Sequence, residues 1–141
     1  MKYTRRDLPI LASALLASSA ARAAKGDRLK TAVINRDDVT ATKSNQASQR
    51  KYFDGVNHEG MPVECHESEL PPGEAPHPPH KHVHEEMIVV LQGTMEVTVE
   101  GTATKRITSG GLAYVNSNEL HGWKNVGNDR ARYLILALGH D

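Results

Sequence analysis

The chain has 141 residues, 17 basic and 17 acidic, with four percent aromatics and a single cysteine. That length gives one domain a real core and is short for two. Balanced charge without an aromatic–basic stripe excludes a draw to phosphate backbones or base stacking, and Cys65 alone excludes an internal disulfide.

In chain order, Lys2, Arg5 and Arg6 precede an apolar run from Leu8 to Ala21, closed by Ala21-Arg22-Ala23. The run is shorter than the roughly 18 residues of a membrane-spanning helix. A basic start, a short apolar stretch and a small-residue end are the parts of a secretory signal over residues 1–23, with cleavage expected after Ala23. Alanine and serine fill every face, which leaves no polar stripe for a surface helix. Thr4-Arg5-Arg6 with Leu8 is similar to a twin-arginine signal, the ordinary secretion route being the alternative. The expected location is therefore periplasmic or secreted. Beyond residue 23 there remain 13 basic and 16 acidic residues. Neither nucleic acid nor membrane is an expected partner of such a domain.

Residues 24–60 are polar and weakly patterned, and read as an arm. Thr31-Ala-Val-Ile34 is its one expected strand, and Asp37 to Lys51, rich in Thr, Ser, Asn and Gln, reads as loop. From residue 61 to 141 the pattern changes. Met61, Val63 and Cys65 alternate with polar neighbours until Leu70-Pro-Pro-Gly73, since proline cannot donate to a ladder. Met87 to Leu91 is a short apolar run, and Met95, Val97 and Val99 alternate with Glu96, Thr98 and Glu100. Gly101 and Ser109-Gly110-Gly111 supply turns, and Leu112–Val115 and Tyr133–Leu138 are further strands. Many short strands at such spacing predict an all-β fold, a single-domain jelly-roll barrel.

Six of the eight histidines lie between His58 and His84, densest in His80-Lys-His82-Val-His84-Glu85-Glu86. On a regular strand His80, His82, His84 and Glu86 would share one face, offering nitrogen and oxygen donors suited to a divalent ion. A histidine tract also binds metal loosely without a defined site, and spacing alone leaves both readings open. On the same parity argument Cys65 and His66 face opposite ways, which makes Cys65 a buried small apolar residue and removes a thiol–imidazole pair. Glu85 points away from Glu86, toward solvent.

Two longer patterns frame the tract. Gly73, His80-Lys-His82, Glu86 and Gly93 form one; Gly110, Asn116-Ser-Asn118, His121 and Asn125 form the other. In both spacing and separation these resemble the two motifs of the cupin superfamily, over most of residues 61–138. The first gap is one residue longer than usual, and Asn116 and Asn118 replace a proline and a glycine. Asparagine tolerates φ > 0, so the turn can survive. The resemblance implies a small cupin barrel in which His80, His82, Glu86 and His121 bind one divalent metal. Manganese or iron fits that donor set best, with nickel, cobalt, copper or zinc as options. His84 is then a spacer, His77 a loop residue and Trp123 either a pocket wall or core. A homodimer and a small-molecule ligand are implied as well. The expected function is a metalloenzyme on an oxygen-rich small molecule, dioxygenase chemistry first and isomerase or lyase chemistry next. The sequence names no base for it; Tyr114 and Glu119 are only within reach. The alternative is a non-catalytic, metal-dependent binding or sensing module.

Overall fold

A computed structural model describes residues 26–44 and 47–140, Ser44 by its backbone only; the expected signal at 1–23 lies outside the described residues. Among those described, a short 3-10 turn at Arg36–Asp38 is followed by nine strands. They are β1 (Thr42–Ser44), β2 (Ala47–Val56), β3 (Pro62–Leu70), β4 (Glu85–Gln92), β5 (Thr94–Val99), β6 (Lys105–Thr108), β7 (Leu112–Val115), β8 (His121–Asn125) and β9 (Ala131–Leu138). Six form an antiparallel sheet in the order β1-β2-β3-β9-β4-β7, and three form a second in the order β6-β5-β8. This is the two-layer, all-β jelly-roll that the turn spacing predicts.

The layers meet through one core. Ile88, Val90, Tyr133, Ile135, Ala131 and Leu70 come from the larger sheet, and Met95, Val97 and Trp123 from the smaller. Each such large apolar side chain contributes about 1.5–3 kcal/mol on burial. Between β4 and β5 the chain crosses from one sheet to the other at Gly93, whose φ is 88°. A Cβ there would stand 2.9 Å from the Ala131 Cα, so the crossing needs glycine both for its dihedral and for its clearance.

Register fixes which side chains enter the barrel. Ser68 is paired with Tyr133, His66 with Ile135 and Glu64 with Ala137, and each pair shares a face. Across β9, Ile135 faces Ile88 and Ala137 faces Glu86. Glu64, His66 and Ser68 therefore point inward, while Cys65, Glu67 and Glu69 point outward. Cys65 is buried, as expected, and burial pushes its thiol pKa up.

The arm differs from expectation. Residues 31–34 form no strand, and the stretch expected as loop carries β1 and the first part of β2. The pattern is hidden because a bulge between Lys51 and Phe53 breaks the alternation of β2. The segment before it lies against the barrel through Leu29 N donating to Val56 O at 2.8 Å and Val56 N donating to Asp27 O at 3.0 Å. Arg36 then reaches Glu67 at 2.8 Å and also bonds Glu69.

Candidate functional site

The tract from His80 to His84 is not strand; β4 begins only at Glu85. A regular ladder of alternating histidines therefore does not exist. His80 is instead locked to the start of β8, its backbone exchanging two 2.9 Å hydrogen bonds with His121 across the gap between sheets. The backbone oxygen of His82 accepts from Asn118 N at 2.7 Å. Asn118 has φ 62°, the left-handed turn that its motif position requires. Two turns of unlike origin are thereby pinned to one spot.

The result is a convergent set of donors. Ring nitrogens of His80, His82 and His121 lie within 4.8 Å of one another. Glu86, buried on the inner face of β4, places Oε2 3.3 Å from His82 Nε2 and 3.3 Å from His121 Nε2. His84 stacks on His82 with centroids 3.6 Å apart and planes 9° off parallel. It forms a second triple with His82 and Glu86, again within 4.8 Å, so it stands closer to the donors than a spacer need.

The tautomers show what this set fits. His82 Nδ1 is 2.8 Å from the His84 carbonyl, and His121 Nδ1 is 2.7 Å from the Glu119 carbonyl. A carbonyl only accepts, so both Nδ1 atoms donate, and in the Nδ1–H tautomer each ring presents an Nε2 lone pair. Those lone pairs face a carboxylate oxygen, an acceptor opposite acceptors. His121 Nε2 is buried without a hydrogen-bond partner despite its 3.3 Å approach to Glu86, and His80 Nδ1 is likewise buried and unpartnered. Orphaned lone pairs around a carboxylate are satisfied by a cation. Burial pushes the His80 pKa down, and the neighbouring His77, His121 and His82 add to the effect.

Around the donors stand aromatic rings. Trp123 stacks on His121 at 5.4 Å and meets Tyr133 edge-on at 6.4 Å, so it is both core and wall of the site. His77 packs against His80 at 4.1 Å and Trp123 at 6.0 Å, nearer than a plain loop residue. Burial pushes the Tyr133 phenol up to about 12, opposed by Trp123 and Ser68. The Trp123 indole N–H nevertheless closes no hydrogen bond of regular geometry. A cleft of about 350 Å³ opens beside Tyr133, lined by Ser48, Gln49, Ser68 and Glu74 among others. None of the four donors lines it; of its lining residues, Tyr133 touches Trp123, which stacks on His121.

The two candidate bases do not face the donors. Tyr114 pairs with Met87 on the outer face of the sheet, is 46% exposed, and has its pKa raised chiefly by a hydrogen bond to Glu85. Strand parity explains the error, since the inward neighbour is Val115, opposite Glu86. Glu119 acts through its main chain, as the acceptor that orients His121. Glu67, without a signal in the sequence, is 2% exposed on the outer face, where Arg36, Arg50 and Tyr52 surround it. The inward pair Glu64–His66 has parity with Leu70 as its sequence signal.

Comparison with known proteins adds the family. The model of the cupin domain matches residues 66–137. Among curated proteins no relative matches. Solved structures do. KdgF from Halomonas sp. has a TM-score of 0.67 at 16% identity, over 79% of this chain and 96% of that one. The polyketide cyclase RemF from Streptomyces resistomycificus has 0.61 at 23% identity, over 77% and 80%. The Cnp3 cupin domain of Schizosaccharomyces pombe has 0.61 at 23% identity, over 74% and 71%. At such identities the likeness is one of fold.

Proposed function

This chain belongs to the cupin family, and on that premise we propose that it is an exported metalloprotein acting on a small oxygen-rich molecule. One divalent ion is held by His80, His82, Glu86 and His121. The observation that carries the reading is the Glu86 carboxylate facing the Nε2 lone pairs of His82 and His121, each fixed by a carbonyl at its Nδ1. Three imidazoles and a carboxylate suit manganese or iron best and leave positions open on a six-coordinate ion. Such an ion supplies Lewis acidity and, for these two metals, dioxygen chemistry. The chain itself orients the donors through Asn118 and Glu119, walls the site with Trp123 and His77, and opens the cleft beside Tyr133. Dioxygenase chemistry is the first assignment, isomerase or lyase chemistry the next.

A second reading rests on His84. Its ring lies in reach of the same ion as His82 and Glu86, and a fifth protein donor would close positions that a substrate needs. The protein would then be a binding or sensing module. Elemental analysis of protein isolated from the periplasm without added metal decides between them. About one iron or manganese per chain, with exchangeable waters by relaxation measurements and oxygen uptake on a substrate screen, supports the enzyme. Tightly held zinc without exchangeable water supports the module, and no transition metal in any preparation overturns both.

Export through the 1–23 segment belongs to the same proposal, as does a homodimer formed on the outer face of the large sheet, where Leu112 and Tyr114 are exposed. Cell fractionation and light scattering test the two.

A further inference from the structure

Two strands away from Glu86, the inner face of the large sheet carries a second polar group. His66 Nδ1 lies 2.9 Å from Glu64 Oε1, and the two side chains are 16% and 29% exposed. Lys51 of β2 approaches the other carboxylate oxygen of Glu64 at 3.4 Å and Asp54 at 2.9 Å. A carboxylate only accepts, so His66 Nδ1 donates and its Nε2 is left as the working nitrogen. Among the described residues no protein group is hydrogen-bonded to that Nε2.

The register connects this group to the donors. Glu64, Ala137 and Glu86 lie side by side on neighbouring strands, as do His66, Ile135 and Ile88. Two strand spacings separate the backbones of Glu64 and Glu86, about 10 Å. Ala137, the smallest side chain of the row, lies between them.

We propose that His66, held by Glu64, is the acid–base residue that meets the far end of a molecule bound at the metal centre. The inference rests on the metal reading above and extends it to a substrate class. The molecule has a chelating head and, roughly three or four bonds away, a hydroxyl or carboxylate that reaches His66. The step is a proton transfer between His66 Nε2 and that oxygen, and needs no other reactant. Lys51 and Asp54 on β2, Glu64 on β3 and Glu86 beyond Ala137 are the charged groups facing it; β9 contributes only Ile135 and Ala137. Lys51 against Asp54 and Glu64 leaves one negative charge beside the ring.

The test uses the full chain loaded with zinc, with two probes. Glycolate has only the chelating head; L-malate adds a carboxylate further along. Calorimetry in two buffers of different ionisation heat gives affinity and protons taken up. In the wild type malate binds more tightly than glycolate and takes up protons, and the ring resonances of His66 move with malate alone. His66→Gln loses about tenfold for malate, stays within about twofold for glycolate, and takes up no proton, while zinc stays at about one per chain. Glu64→Gln moves in the same direction by less. A wild type that holds zinc but shows equal affinities and unmoved His66 resonances overturns this inference alone. A wild type that takes up no zinc overturns the metal reading and this one together.

Discussion

Among the described residues two carboxylates are buried, and they are buried in opposite ways. Glu67, on the outer face of β3, is surrounded by cations and a donor: Arg36 at 2.8 Å, Arg50 at 3.6 Å and the Tyr52 hydroxyl at 3.3 Å. Glu86, on the inner face of β4, faces two imidazole nitrogens whose protons are already donated elsewhere. A buried charge must be paired. Glu67 finds its partners within the chain and staples the arm to the sheet. Glu86 has imidazole nitrogens for neighbours, and in the proposed function a cation completes it. The charge on each is the same, and the neighbouring atoms decide whether it serves the fold or the site.

Replacing the inner neighbours has the largest effect. A His80→Ala, His121→Ala double variant is expected to drop from about one metal per chain to none by elemental analysis, while remaining folded by circular dichroism. Glu67→Gln should do the reverse. Metal content stays, and urea unfolding shows a loss of about 1.5–3 kcal/mol, because the charge-assisted bonds to Glu67 are lost while Arg36 and Arg50 keep Glu69. Glu86→Gln separates the two roles. Without metal it is expected to be as stable as the wild type or up to about 1 kcal/mol more so, since a neutral amide relieves an acceptor facing acceptors, yet it binds metal poorly. A Glu86→Gln variant as damaged as Glu67→Gln in metal-free protein would erase the contrast.

The acid response sharpens it. His80 has its pKa lowered in the folded chain, chiefly by burial. The unfolded chain takes up that proton near the ordinary imidazole value of about 6.5, while the folded one resists. Stability of the metal-free protein is therefore present above about pH 6.5 and falls as pH drops below it. His80→Asn should flatten that limb of a melting-temperature profile. The smallest effect is optical. Trp123 is the one tryptophan and stacks on His121. Its fluorescence is expected to drop on binding manganese in the wild type and stay constant in the double histidine variant.

Much of the barrel was readable from residue 61 onward, because apolar alternation, turn glycines and proline stops all act locally. The substitution of Asn118 for glycine was readable too, since its φ of 62° is one that asparagine tolerates. The arm was not. The bulge in β2 hides its period, and the partners that make Glu67 a buried staple, Arg36 and Arg50, lie 31 and 17 residues away in sequence. Parity also misled at the histidine tract. Alternation over 80–86 suggested one strand face, whereas residues 81–84 lack strand and the donors converge through a bridge to β8.

What the sequence determined by itself is the local chemistry: the spacing of His80, His82, Glu86 and His121, the turns that punctuate the strands, and the small apolar role of Cys65. Those follow from side-chain type and a period of two, which need no partner strand. The tertiary structure alone decided direction and company. It turned Tyr114 outward and His66 inward, set Ala137 between Glu64 and Glu86, and gave one buried carboxylate arginines and the other imidazole nitrogens. Such choices depend on register between strands far apart in the chain, and a one-residue slip would reverse each of them.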